Sequence, residues 1–215
     1  MKIEKLVKHW EYLVSTNYGT TRGFVRYALG QVEYLVGRVE EFSRINPRAT
    51  RRLVFVCLGN INRSAFAAAV AQSLSANTVS IGLSTTTGAR CCNPALKVAK
   101  LFNISLDTHA ATDISDYEYC DGDMLCAMEI RHARHLVRRG VPQQSVCLLG
   151  NWARPHRIHL HDPATLSEQY FVTCFGIIHT SIVNLVNELR LAKSPCVAEQ
   201  TYHSGTQSFG EIVAT

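Results

Sequence analysis

At 215 residues with 47% apolar side chains, the chain is long enough to bury a full core in one domain with room for an appendage. Eight cysteines at irregular spacing (57, 91, 92, 120, 126, 147, 174 and 196) argue against a secreted disulfide framework and for reduced thiols in the cytoplasm. The net charge of +5 sits wholly in residues 1–52, with ten Lys and Arg against five Asp and Glu, while the remainder holds twelve of each.

Charges dispersed along helices read first as a solvated face, ahead of an acidic partner, a membrane surface or nucleic acid, and no nucleic-acid partner is expected. The opening MKIEKLVKHWEYLV carries charges every few positions and no small-residue cleavage site, so it does not read as a signal peptide. Residues 3–14 and 23–43 have helical spacing, the second through Phe24, Tyr27, Ala28, Gln31, Tyr34, Leu35, Arg38 and Phe42. Asn17-Tyr18-Gly19 separates them, and Asn46-Pro47 should end the second, because a residue before proline avoids the helical region. Residues 1–50 are thus expected to form a helical hairpin. Its two apolar stripes, one led by Phe24, Tyr27 and Tyr34 and the other by Leu29, Val32, Val36 and Val39, exceed what one packing surface requires. One should cover the domain and the other a second copy, giving a homodimer.

From Leu53 the pattern changes. Four β-rich runs, LVFVC, TVSIGL, DMLCAM and SVCLL, alternate with helical stretches at 64–75, 93–102, 129–139 and 167–191. That alternation predicts an α/β fold of three layers, with a central four-stranded parallel sheet covered on both faces. The longest apolar run, FVTCFGIIHTSIVNLV, is broken by polar residues and falls short of the roughly 20 that a bilayer span needs, so it reads as a buried helix and no transmembrane segment is expected. Residues 51–192 form the expected main domain, and 193–215, rich in Ser, Thr, Gly and Gln, a flexible tail.

The chemistry concentrates in VFVCLGNINRS, where the first strand runs through a loop into a helix. Ligands bind at the carboxyl ends of parallel strands. There the peptide N–H groups of Leu58, Gly59, Asn60, Ile61 and Asn62, together with the helix N-terminus, can form a concave phosphate-binding loop. Gly59 and Asn60 tolerate the backbone angles such a loop needs. The same field favours a thiolate at Cys57, a nucleophile at neutral pH. Arg63 can hold two oxygens of a phosphoryl group with its planar fork, and Ser64 can donate a hydrogen bond to the sulfur as it leaves a cysteinyl-phosphate.

Residues 51–192 resemble the low-molecular-weight protein tyrosine phosphatases of bacterial type. VFVCLGNINRS resembles their phosphate loop, SIGLST the second strand, NPALKVAKLFNISLDTH the middle segment, MLCAMEIRHARHL the third strand and helix, and LLGNW with HDPATLSEQYF the region carrying the general acid. The resemblance implies that Asp162, before Pro163, protonates a phenolic leaving group, and that Ser80 and His109 support Asn60. It implies a phosphotyrosine protein as substrate, no metal and no cofactor. A tyrosine kinase in control of polysaccharide synthesis is the partner suggested by bacterial members.

Departures are visible. Asn62 stands where most members have a second cysteine, Ala65 where proline is usual, and Ala164 and Thr165 where one or two aromatics flank the substrate ring. The rim segment GARCCNP carries adjacent thiols, Cys91 and Cys92, either incidental or able to resolve an oxidised Cys57. His156, His159 and His161 alternate before Asp162 without completing a metal set. Arg131, Arg134, His135, Arg138 and Arg139 form a basic helical face, solvated or attractive to acidic residues around a phosphosite. Two alternatives to hydrolysis remain: thiol-dependent arsenate reduction, for which Cys120 and Cys126 have tempting spacing, and a phosphate-binding scaffold without turnover.

Overall fold

The computed structural model describes residues 2–193; the expected tail, Cys196 included, lies outside them. Ten principal elements follow one another: α1 (Lys2–Tyr18), α2 (Thr21–Leu35), β1 (Arg52–Cys57), α3 (Arg63–Ser73), β2 (Thr78–Gly82), α4 (Asn93–Lys100), β3 (Asp123–Ala127), α5 (Ile130–Arg138), β4 (Val146–Leu148) and α6 (Glu168–Lys193). All four strands are parallel, in the order β2-β1-β3-β4.

β1 is central, and its unbroken apolar run divides between two cores by strand alternation. Leu53, Phe55 and Cys57 face a core shared with α3, α4 and α6, in which Phe66 and Phe175 stack at 4.0 Å. Val54 and Val56 face the opposite core, with Ala133 and Leu136 of α5 and Ile158. The sheet is thus the middle of three layers. Helix α6 is long and apolar enough by composition to cross a membrane, yet Tyr170, Phe171, Cys174, Phe175, Ile178, Ile182, Leu185 and Leu189 on it are buried against the protein.

Two boundaries differ from the sequence expectation: α1 continues through Asn17 and Tyr18 so that only Gly19 of the expected break lies outside it, and α2 stops early. Helix α2 ends at Leu35, well before Asn46-Pro47, because Gly37 adopts φ 75° and closes a double-bonded C-terminal turn. The Gly37 N–H donates to the Tyr34 carbonyl at 3.0 Å and the Arg38 N–H to the Glu33 carbonyl at 2.9 Å. Val39 and Phe42 then enter the α5-side core, fully buried. They continue the helical rhythm in sequence, but their apolarity serves the domain and not the hairpin.

Helix α2 lies across residues 156–161, and α1 approaches α6. The outward faces of the pair stay in solvent: Ile3, Leu6, Val7, Trp10 and Leu13 on α1, and Val25, Leu29, Val32 and Leu35 on α2, are all exposed.

Candidate active site

Strand β1 ends at Cys57, opposite Gly82 on β2, and the chain folds back over that glycine. A Cβ at position 82 would lie 2.9 Å from the Leu58 carbonyl oxygen and 3.1 Å from the Asn60 Cβ, so only glycine lets the loop close this tightly. Asn60 sits at φ 50°, the left-handed region that asparagine tolerates, and this turns its N–H toward Cys57 Sγ at 3.3 Å. Ser64 Oγ lies 2.9 Å from the same sulfur.

The Asn60 side chain is completely buried and holds the turn by three bonds. Its Nδ2 donates to Ser64 Oγ at 2.9 Å and to Ser80 Oγ at 2.8 Å, and its Oδ1 accepts from the Thr112 N–H at 2.8 Å. The Asn60 carbonyl meets His109 Nε2 at 2.7 Å, a contact in which the imidazole donates. Burial holds the His109 pKa below its ordinary value, more than the Asn60 bond raises it, and the carbonyl, an acceptor, requires a proton on Nε2.

Helix α3 begins at Arg63, directly after the loop. Among the described residues, the N–H groups of Leu58, Gly59, Ile61, Asn62, Arg63 and Ser64 have no protein acceptor. They lie in the turn that follows Cys57 and at the N-terminus of α3, the backbone positions from which an oxyanion cradle is built.

Arg63 is 1% exposed, an exceptional position for a guanidinium, and its partners explain it. Nη1 donates to Glu129 Oε1 at 2.7 Å and to the Leu160 carbonyl at 2.8 Å, while Nη2 donates to Asp162 Oδ2 at 2.6 Å. Nε is buried without a protein partner. Burial opposes the charge, but Asp162 and Glu129 outweigh it and keep the guanidinium firmly protonated. Glu129 is itself 0% exposed. Burial disfavours its ionisation, yet Arg63 first and Arg131 next hold its carboxyl well below the usual carboxylate range.

The fold therefore brings Cys57, Arg63, Ser64 and Asp162 to one place, and Ser80 and His109 both touch Asn60. Glu129, the Leu160 carbonyl, Thr112 and Gly82 belong to the same constellation and were not singled out from sequence. Glu129 alone left a trace there, as a charged residue at the carboxyl end of a core strand.

The other candidates are distributed around this centre. Cys92 Sγ donates to Asn62 Oδ1 at 2.8 Å. Cys91 is buried, and desolvation, with lesser contributions from Cys92 and Cys57, pushes its pKa up to about 12. Cys126 is enclosed in β3 against Cys147 on β4, with the sulfurs 3.5 Å apart, while Cys120 is exposed. His159 lies behind Arg63, where burial pushes its pKa down to about 4 although Glu129 opposes the shift. Among the described residues no His, Cys, Asp and Glu cluster has the arrangement of a metal site. On α5, Arg131 is committed to Glu129, and Arg134 lies 3.5 Å from Glu33 of α2.

Residues 52–194 match the family model described as low molecular weight phosphotyrosine protein phosphatase. The chain belongs to this family. It is 28% identical over 132 residues to the low molecular weight protein-tyrosine-phosphatase Wzb of Escherichia coli K12 and 29% identical over 133 residues to that of Salmonella typhi. Each alignment covers 60% of this chain and 88% of the relative. Among solved structures, the Erwinia amylovora tyrosine phosphatase amsI is similar with a TM-score of 0.57 and 22% identity, covering 65% of this chain and 93% of that one. The YwlE arginine phosphatase from Geobacillus stearothermophilus is similar with a TM-score of 0.58 and 20% identity, covering 66% and 94%. At these identities the structural likeness concerns the fold.

The family match begins at Arg52, so α1 and α2 lie outside it. At the positions where the phosphatase family prompts a second cysteine and an aromatic wall, this member has Asn62, bonded to Cys92, and Ala164 with Thr165. Thr165 adopts φ 64°, a strained angle for a β-branched residue, in the turn closed by the Leu166 N–H to the Pro163 carbonyl at 3.0 Å.

Proposed function

We propose that the chain hydrolyses phosphotyrosine in proteins through a cysteinyl-phosphate at Cys57. The observation that carries this reading is the run of acceptor-free amides in the turn that follows Cys57, with the buried Arg63, its Nε unpartnered, at the end of that turn. A phosphoryl group in that turn takes hydrogen bonds from the amides of Leu58 to Ser64, and Arg63 neutralises charge on its equatorial oxygens. The Cys57 thiolate attacks phosphorus in line, an S–P bond forms, and the bond to the phenolic oxygen breaks as Asp162 gives that oxygen its proton. Water then attacks phosphorus, Asp162 takes a proton from it, and the thiolate leaves, steadied by Ser64 and the Asn60 N–H.

In the structure Asp162 is bonded to Arg63 Nη2. An incoming phosphate competes for that guanidinium, which frees the carboxyl to meet the leaving-group oxygen. Ser80 and His109 support the loop through Asn60, as positioning residues.

The decisive experiment compares phosphate release from phosphotyrosine and phosphoserine peptides, and arsenate-dependent oxidation of thioredoxin, for wild type and Asp162→Asn. Phosphotyrosine turnover is expected, with kcat lowered about 10²- to 10⁴-fold in the variant. Binding of phosphopeptide without release would identify a scaffold, and arsenate-driven thiol oxidation a reductase. The enclosure of Cys126 against Cys147 speaks against the cysteine relay that the reductase needs.

The partner is inferred to be a phosphotyrosine protein, such as a tyrosine kinase controlling polysaccharide synthesis, and seven described cysteines all present as free thiols support a cytoplasmic setting. The exposed apolar faces of α1 and α2 further support a homodimer, since a two-fold interface needs only this one patch meeting its own copy. Light scattering should return a dimer mass for the wild type and a monomer mass for Leu6→Glu with Leu29→Glu. A wild-type monomer across the micromolar range would remove the dimer.

A further inference from the structure

The segment that delivers Asp162 is pressed between the family domain and the hairpin that lies outside the family match. On the domain side, the Leu160 N–H donates to the Met128 carbonyl at 3.0 Å and Tyr170 Oη donates to the His161 carbonyl at 3.2 Å. On the hairpin side, α2 presents Gly23 and Gly30, seven residues and so about two turns apart on one face. A Cβ at Gly23 would stand 2.8 Å from His161 Cδ2, and one at Gly30 would stand 3.6 Å from His159 Cβ, so the helix backbone itself rests on the histidines that lead to Asp162. Gln31 Nε2 donates to the His156 carbonyl at 3.3 Å, and the Tyr34 ring lies 4.3 Å from that of His156.

The strongest grip falls on Arg157. Its Nη1 donates to the Asn17 carbonyl at 2.7 Å, one of the carbonyls left unpaired at the C-terminal end of α1, where a cation also meets the negative end of the helix dipole. Its guanidinium carbon lies 4.9 Å from the centre of the Tyr18 ring and 5.1 Å from that of Tyr27. One side chain five residues before Asp162 is thus tied to both helices of the hairpin at once.

We propose that the α1–α2 hairpin is a brace for the general-acid loop, and that Arg157, clamped by Tyr18, Tyr27 and the Asn17 carbonyl, is a positioning residue that sets where Asp162 stands relative to the leaving group. The inference rests on the reading of Asp162 as the general acid. None of the brace side chains hydrogen-bonds Cys57, the loop amides or Arg63, and although Arg63 meets the braced segment at the Leu160 carbonyl and Asp162, Glu129 anchors it independently, so releasing the brace acts first on proton delivery.

The test is leaving-group dependence measured on the full chain. For Arg157→Ala and Tyr27→Ala, kcat/KM on phenyl phosphate, whose leaving group needs a proton, should fall about 10- to 100-fold. On an aryl phosphate with a strongly acidic phenol, kcat/KM, which reports phosphoenzyme formation and not its hydrolysis, should change less than about 3-fold, and so should inhibition by vanadate. Arg157→Lys should recover part of the loss. In an Asp162→Asn background Arg157→Ala should add nothing further, because both act on one proton transfer. Equal losses on both substrates, or an additive loss in that background, would overturn the brace. An Asp162→Asn chain with undiminished phenyl phosphate turnover would instead overturn the acid assignment, a separate outcome. Should Arg157→Ala unfold, Tyr34→Ala, which loosens the same segment at His156, carries the same comparison.

Discussion

Replacing Cys57 by serine is expected to lower phosphate release roughly 10⁴-fold or more while leaving phosphopeptide binding nearly intact. The nucleophile must be an anion, and a serine hydroxyl in the same cradle stays protonated at neutral pH where a thiol can ionise. A serine Oγ can stand in for the sulfur as partner of the Asn60 N–H and Ser64 Oγ, and the unpaired loop amides are backbone groups, so the anion site persists. The check pairs steady-state phosphate release with calorimetric titration of a phosphotyrosine peptide. Turnover within about tenfold of wild type would remove Cys57 from the role of nucleophile, and loss of binding together with turnover would show that the sulfur shapes the cradle.

Removing Glu129 is expected to have the largest effect on stability. Its carboxylate is wholly buried and neutralises a guanidinium that is equally buried. Glu129→Ala leaves Arg63 with only Asp162, itself partly exposed, and breaking a buried pair from one side costs about 3–5 kcal/mol. For a chain of this size that corresponds to a fall in Tm of roughly 10–15 °C. Phosphate affinity should fall as well, because Nη1 keeps only the neutral Leu160 carbonyl and the fork is held less firmly toward the cradle. Glu129→Gln, which retains an acceptor but no charge, should lie between.

The sign of the pH dependence follows from the same pair. The folded carboxyl of Glu129 is held below its ordinary value, so its contribution is fully present above about pH 4.3, the unfolded value, and is lost as pH falls toward the folded one. The stability gap between wild type and Glu129→Gln in urea should therefore be wide at pH 7 and shrink below pH 4. Equal midpoints at pH 7 would show that Arg63 does not need this carboxylate.

The two variants differ in what they disturb. Cys57 is a reacting atom on a scaffold that stands without it, whereas Glu129 holds the guanidinium upright from beneath. A loop built mostly from backbone amides tolerates the first loss and depends on the second, because amide donors need only the chain path while a buried cation needs a counter-charge.

What could be read in the sequence alone was whatever depends on neighbours along the chain. The four strands and the helices between them were legible because side-chain period is a local property, and residues 53–57 and 124–127 are apolar on both faces of a covered sheet. The grouping of Cys57, Asn60, Arg63 and Ser64 was legible for the same reason, since one turn from strand to helix contains them all. Family likeness, and not spacing, pointed to Asp162. The end of α2 was misjudged because Val39 and Phe42 keep a helical period that belongs to the core, and Gly37 was the local sign of the stop. Only the tertiary structure placed Glu129 beneath Arg63 and set Arg157 between Tyr18 and Tyr27. Those pairings join residues 66, 139 and 130 positions apart, and nothing in local periodicity or turn chemistry encodes which distant partner a buried charge will meet; packing decides it, because a charge removed from water must find its counterpart wherever the fold brings one.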